Sequence, residues 1–183
     1  LSGLINRKCE LAVPCRYLRI LPEGRGVYKV SVKNPYLFYY NQQGHQYCPP
    51  RYDRYAGFSG GLCPVRRDSL WGFLDSTGRE RIACRYEQVR AFSGGLAAVL
   101  SGGVWAFVDT SGTEIFSTSV SKNNANDLGN FVEGLCRFRR DKKWGYLDPK
   151  GKEKIAPTYY YAGDFCRGVA PVRLTNKFGL IDT

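Results

Sequence analysis

The stretch Trp71–Ile82, "WGFLDSTGRERI", sets an indole beside a glycine, continues as Phe-Leu-Asp and enters a short polar turn ending at Gly78. The frame returns as "LFYYNQQG" from Leu37, "WAFVDTSG" from Trp105, "WGYLDPKG" from Trp144 and "FGLIDT" from Phe178. A degenerate copy, "SGLIN", starts at Ser2. Successive starts lie 35, 34, 34, 39 and 34 residues apart. A near-fixed period of this size is the signature of a repeat architecture.

Other segments keep step. "PCRY", "PPRY", "ACRY" and "APTY" place Tyr17, Tyr52, Tyr86 and Tyr159 in register, and "FSGGL" at Phe58 and Phe92 returns as "FVEGL" at Phe131 and "FCRGV" at Phe165. The 39-residue spacing comes from the polar insertion within "SVSKNNANDLGN" (119–130), expected to be an enlarged surface loop. Each unit parses as an apolar strand such as "LAAVL", a small turn, the Trp-Gly strand, a four-residue turn and a third strand such as "RERIAC". The expected units are approximately 2–36, 37–70, 71–104, 105–143, 144–177 and a partial 178–183.

The turn explains part of the frame. Asp75, Asp109, Asp148 and Asn41 each stand three residues before a glycine: Gly78, Gly112, Gly151 and Gly44. Asp or Asn at the first position can accept from the backbone two residues on, and Gly at the fourth suits a left-handed residue after a type I turn. The strand explains the rest. Trp71, Trp105 and Trp144 share a site with Leu37 and Phe178, and the next site is small: Gly72, Ala106, Gly145 and Gly179, with Phe38 the exception. The two residues that follow are apolar, so both faces of the strand are expected to be covered. The small site implies close approach of a neighbouring backbone or ring. Each buried ring should contribute about 2–3 kcal/mol, and Trp144→Ala should cost about 3–5 kcal/mol.

Composition agrees with an all-β globular chain: 183 residues, 43% hydrophobic, 14% aromatic and 21 glycines. A net charge of +11 favours an anionic partner or surface without bearing on the fold. No run of 18 apolar residues suggests a membrane helix, so no membrane insertion is expected. The first residues carry no signal-peptide pattern, and the absence of an initiator Met reads as a chain processed or cut from a longer one. Seven cysteines, none in Cys-x-x-Cys spacing, and a lone histidine, His45, argue against a zinc site and favour a reducing, cytoplasmic setting over a periplasmic or cell-surface one.

The combined frame, best preserved in "KWGYLD" (143–148) followed by "PKGKEKIAPTY" and "AGDFCRGVAPV", resembles the bacterial WG-repeat family over nearly the whole chain. The resemblance implies a non-catalytic β-repeat module, usually one part of a longer bacterial protein, and carries over no catalytic residues. The expected fold is all-β: a tandem array of about five three-stranded antiparallel meanders of about 34 residues, stacked as an open solenoid, each burying its face against its neighbours. A small closed propeller-like ring is the alternative.

Cys63 and Cys136 occupy a repeat position that Ala97 and Ala170 fill elsewhere, and Cys15 and Cys84 share one with Pro50 and Pro157, so they read as packing residues rather than nucleophiles. The acidic residues recur in turns or beside basic ones, and no phosphate-binding loop is present. No catalytic residue, metal or cofactor is expected. The binding candidates are basic: Arg66, Arg67, Arg139, Arg140, Lys142, Lys143, Arg173 and Lys177 on equivalent hairpins, with Lys150, Lys152 and Lys154 as a second cluster. If the hairpins stack, their charges form a strip for nucleic acid or anionic glycan, or they protect exposed edges from aggregation. Tyr39, Tyr40, Tyr159, Tyr160 and Tyr161 could stack on a ligand or fill the core. The expected function is a protein–protein interaction scaffold, its partner another protein or other domains of the parent. Binding of an anionic polymer is the alternative.

Overall fold

Short runs of β-branched and aromatic residues, punctuated by Gly-, Asp- and Asn-bearing turns, fold as twenty strands in a computed structural model that describes residues 2–5, 11–17, 19–24, 27–31, 37–41 and 52–182. The chain divides into two units, Leu1–Arg85 and Tyr86–Thr183. In the first, β1 (Ser2–Ile5) pairs with β2 (Leu11–Tyr17), and β3 (Arg19–Gly24), β4 (Val27–Ser31) and β5 (Leu37–Asn41) form a three-stranded sheet. Its third sheet holds β6 (Arg54–Tyr55), β7 (Leu62–Arg67), β8 (Leu70–Asp75) and β9 (Glu80–Tyr86), whose last residue opens the second unit.

The second unit repeats that sheet. One copy comprises β10 (Gln88–Val89), β11 (Leu96–Ser101), β12 (Val104–Asp109) and β13 (Glu114–Ser121); the next comprises β14 (Leu128–Val132), β15 (Leu135–Arg140), β16 (Lys143–Leu147) and β17 (Glu153–Tyr159). The last holds β18 (Tyr161–Ala162), β19 (Val169–Arg173) and β20 (Phe178–Asp182). Sequential strands pair antiparallel, so the expected all-β meander is present. A short outer strand, β6, β10, β14 or β18, adds to the three read from the sequence. Three of these four are two residues long, too short for alternation to reveal. The Trp-Gly strand is third in each such sheet, so a sequence unit that begins at this strand draws on two sheets.

Both faces of the Trp-Gly strand are covered. On β16, Leu147 joins a cluster with Trp105, Phe107, Phe131, Cys136 and Phe138, while Tyr146 points the other way into a cluster with Leu135, Phe165, Ala170 and Val172. Consecutive sheets of the second unit therefore share cores, as a stacked repeat requires. The ring two residues after the Trp meets the Phe of the next Phe-x-x-Gly turn edge-on. Phe107 lies 4.9 Å from Phe131 at 73°, and Tyr146 lies 4.9 Å from Phe165 at 69°. Each such pair adds about 0.5–1.5 kcal/mol to the burial of its rings.

The indoles themselves differ. Trp105 is buried, whereas Trp71 and Trp144 are half-buried. The residue directly across the hairpin differs with them. Trp105 faces Leu100, but Trp71 faces Arg66 and Trp144 faces Arg139, and each of these guanidiniums lies within 6 Å of the facing ring. Arg90 also stacks on Trp105, at 5.3 Å, but spends its donors on carbonyls of the chain. Trp105 is the most deeply buried of the three indoles.

The small residue after the Trp has a specific cause. Between Trp144 and Tyr146 the partner strand advances from Tyr159 to Ile155, four residues against two, so β17 bulges over Gly145. A Cβ on Gly145 would stand 2.5 Å from the Ile155 carbonyl oxygen, and one on Gly72 would stand 2.5 Å from that of Ile82. In the repeat with Ala106 the same bulge is present, and the Thr118 hydroxyl donates to the Trp105 carbonyl at 2.8 Å.

The turns follow the expected chemistry. Asp75, Asp109 and Asp148 each accept from the backbone two and four residues on, and Gly78, Gly112 and Gly151 adopt φ of 81°, 87° and 80°. The Ser111 hydroxyl first, then the backbone amides of Thr113 and Ser111, hold the Asp109 carboxyl below the usual range despite partial desolvation. The Asn41–Gly44 turn falls outside the described residues, as do Cys9, His45, Cys48 and Pro50 and the side chains of Cys15, Tyr39 and Tyr40.

The expected surface loop within 119–130 has Asn124, Asn126 and Asn130 exposed, but it holds more structure than its composition suggests. Residues Lys122–Asp127 form a 3-10 segment broken at Asn124, and Val120 and Leu128 on either side of it are buried in the Trp105 core. Polar composition hid two apolar anchors. Arg90 fastens the segment from below, donating to the carbonyls of Ala125 and Leu128 at 2.5 Å and of Gly129 at 3.2 Å, with its guanidinium 5.3 Å from the Trp105 ring centre.

Candidate interaction surface

The basic candidates sit where two strands meet at a two-residue turn. Asp68-Ser69, Gly102-Gly103 and Asp141-Lys142 occupy equivalent turns, all with positive φ, the geometry that matches strand twist in a tight hairpin. Only one of the three spends glycine on it. The turn presents the last residues of the preceding strand, Arg66-Arg67 on β7 and Arg139-Arg140 on β15, whereas Leu100-Ser101 on β11 carry no charge.

These arginines are engaged within the chain. Arg66 forks onto both carboxylate oxygens of Asp53 at 2.9 Å, and that hydrogen bond holds the Asp53 carboxyl below its usual range. Arg67 reaches Glu80 at 3.1 Å, and Glu80 also accepts from the Tyr52 hydroxyl at 2.6 Å. Burial pushes the Glu80 carboxyl up, but Tyr52 and Arg67 outweigh it and leave the group below its ordinary value. Arg139 pairs with Asp127 at 3.1 Å, and Arg140 forks onto Glu153. Exposed pairs of this kind contribute little stability, but they cancel local charge.

Arg139, Arg140 and Lys142 line one cleft of about 560 Å³ with Asp127, Asp141, Ser119, Val120 and Asn124. Its charge is mixed, not uniformly basic. Lys143 sits beside it on β16, with its ammonium against the Tyr160 ring. Arg173 lies over Phe178 at 5.8 Å, and Lys177 is exposed ahead of β20. Arg66 and Arg67 belong to the other unit. Lys150, Lys152 and Lys154 occupy the turn and first residues leading into β17, away from the hairpin tips.

The last sheet has a different surface. Phe178 is 69% exposed and Leu180 is 70% exposed, although the equivalent residues in the preceding repeat are the half-buried Trp144 and the buried Tyr146. Leu174, Tyr160 and Tyr161 are exposed beside them, with Tyr161 5.9 Å from Phe178 in an edge contact. Sequence reasoning placed Phe178 at the Trp site and expected it to be buried. It missed this patch because exposure depends on what packs outside the strand, which periodicity does not encode.

Two of the cysteines stand as packing residues. Cys63 and Cys136 are buried, and the Cys63 thiol donates to the Ala56 carbonyl at 2.9 Å. Burial pushes the Cys136 thiol up to about 12, so it holds its proton at neutral pH. Among the described residues no group of three or more His, Cys, Asp or Glu is placed to hold a metal ion, and no helix is long and apolar enough to cross a membrane.

Comparison with known proteins fits this architecture. The family description "WG containing repeat" matches residues 38–71, 71–105 and 144–178. No curated protein matches the sequence. Among solved structures, a eukaryotic initiation factor is similar at 11% identity over 80% of this chain and 47% of that one, with a TM-score of 0.55. An extracellular domain, described as that of a one component system from B. thetaiotaomicron, is 9% identical over 97% of this chain and 29% of that one, with a TM-score of 0.41. The chain spans less than half the length of either structure.

Proposed function

Because the chain belongs to the WG-repeat family, we propose that it is a non-catalytic binding module that acts as a protein-interaction scaffold. One observation carries this reading: the arginines best placed for an anionic polymer are tied to carboxylates of their own chain. A polymer of phosphates would first have to displace Asp53, Glu80, Asp127 and Glu153. The buried thiols and turn-bound aspartates support a role without chemistry, since nucleophiles and bases need access and a shifted proton affinity in a pocket.

Anisotropy titration with labelled oligonucleotides and a sulfated glycan, at low and at physiological salt, tests the reading. Weak binding that disappears at physiological salt is the expected result. Tight binding with a steep salt dependence, lost on charge reversal of Arg139 and Arg140, would establish the polymer as the ligand instead.

A further inference from the structure

The Phe-x-x-Gly turns share one backbone shape. Their central pairs are Gly60-Gly61, Gly94-Gly95, Glu133-Gly134 and Arg167-Gly168, with φ of 59° and 85°, 59° and 82°, 50° and 80°, and 54° and 80°. The flanking residues close each turn on each other: Ser59 with Leu62, Ser93 with Leu96, Val132 with Leu135 and Cys166 with Val169. The central amides therefore stand outside the ladder. Successive amides in such a turn converge on one point and form a seat for an anion.

The last of these turns shows what the seat takes. The Glu133 carboxylate reaches from its own turn to the next, where one oxygen accepts from the Arg167 amide at 2.8 Å and the other from the Gly168 amide at 2.9 Å. The Gly168 amide, then the Arg167 one, holds this carboxyl below its usual range, so the seat favours the ionised form.

One turn earlier the same seat is formed by the amides of Glu133 and Gly134. The residue that would reach it by the same step is Gly94, which has no side chain to send. The two turns are neighbours: Ser93 donates to the Phe131 carbonyl at 2.6 Å, and a Cβ on Gly94 would stand 3.1 Å from that of Phe131. Among the described residues none accepts from the Glu133 or Gly134 amide. Both residues are exposed, and a Cβ on Gly134 would meet only open space.

We propose that the amides of Glu133 and Gly134 receive a glutamate side chain of a partner protein, held as Arg167 and Gly168 hold Glu133. The proposal rests on the scaffold reading and gives that scaffold a contact of stated chemistry. A net charge of +11 draws an acidic surface to the chain, and a pair of donors matched to the oxygens of one carboxylate then fixes where it docks.

Amide-resolved NMR spectra of the chain, titrated with N-acetyl-glutamate amide, test this. The Glu133 and Gly134 amide protons should move downfield and saturate, while those of Arg167 and Gly168, already bonded, stay still. The glutamine counterpart of the probe should move neither pair. Gly94→Glu supplies the carboxylate from within the chain, at a φ close to the one Glu133 itself adopts. Its Glu133 and Gly134 amides should lie downfield before any probe is added, and their apparent affinity for the probe should fall at least about tenfold. Because Gly94→Glu crowds Phe131, Glu133→Ala gives the converse reading: with the internal carboxylate removed, the probe should move Arg167 and Gly168.

Absence of a shift at Glu133 and Gly134, or an equal shift with the glutamine probe, would overturn the proposal. So would an undiminished response in Gly94→Glu, or silence of Arg167 and Gly168 in Glu133→Ala. None of these outcomes decides the scaffold reading, which falls instead on tight polymer binding through Arg139 and Arg140.

Discussion

The hairpins β11–β12 and β15–β16 occupy the same place in successive repeats and use it in opposite ways. The first joins Leu100 to Trp105 across a Gly-Gly turn, and both side chains are buried. The second joins Arg139 to Trp144 across Asp141-Lys142, leaving the indole half-buried under a guanidinium that also pairs with Asp127. One backbone frame therefore accepts a core hairpin or a surface hairpin, and the residue opposite the Trp differs between them.

The contrast breaks most visibly at the indoles. Trp105→Ala should cost about 3–5 kcal/mol in urea unfolding, and Trp144→Ala less, about 2 kcal/mol, since its ring is only partly buried. Equal costs would show that the facing residue does not matter. Exchange of that residue comes next. Leu100→Arg forces a guanidinium into the place of a fully buried leucine and should destabilise by about 3 kcal/mol, whereas Arg139→Leu should change stability by less than about 1 kcal/mol. Smaller still is the slot beside the ring. Gly145→Ala should cost about 1–3 kcal/mol because its new methyl meets the β17 backbone. Ala106→Gly loses only about 0.5–1 kcal/mol of chain entropy.

At the turn, Lys142→Gly should raise stability by about 0.5–1 kcal/mol, because Lys142 holds φ of 64° where its counterpart is Gly103. The smallest expected effect is acidic. Glu133 accepts from the backbone amides of Arg167 and Gly168 at 2.8 and 2.9 Å, and the Gly168 contact, then the Arg167 one, holds its carboxyl below the usual range. A group lowered in the folded state adds stability above its unfolded pKa, about 4.3, and loses it as pH falls through the folded value. Melting curves of Glu133→Gln should therefore diverge from the parent near neutrality and converge in acid.

Much of this was legible before any coordinates. The period, the Asp-x-x-Gly turn and the two-faced burial of the Trp-Gly strand follow from local chemistry, and Asp109 with Gly112 shows each link. What stayed hidden depends on register and on long-range approach. Arg140 finds Glu153 thirteen residues on only because the hairpin and the turn after it have fixed lengths. Arg90 offers no sequence cue that it will clamp a segment some 35 residues away. Leu128 is buried although its neighbours are Asn, Asp and Gly, because a composition window averages over the one residue that matters. The ion pairs changed the reading of the candidate site most: the four arginines at the hairpin tips, Arg66, Arg67, Arg139 and Arg140, are each tied to a carboxylate.

The joints between consecutive sheets in the second unit share a property with a consequence for how such chains grow. Ser93 donates to the Phe131 carbonyl at 2.6 Å, Arg137 to the Ala162 carbonyl at 2.8 Å and Tyr146 to the Gly163 carbonyl at 2.7 Å, while Glu133 accepts from two amides. Every one of these side chains addresses main chain, which is the same whatever residue carries it. These bonds do not read the neighbour's side chains, unlike the ring pairs Phe107–Phe131 and Tyr146–Phe165 and the Arg137–Asp164 ion pair at the same joints. A copied repeat can therefore keep them beside any neighbour that preserves the packed rings, so duplication can lengthen the array while its surface residues drift to new partners.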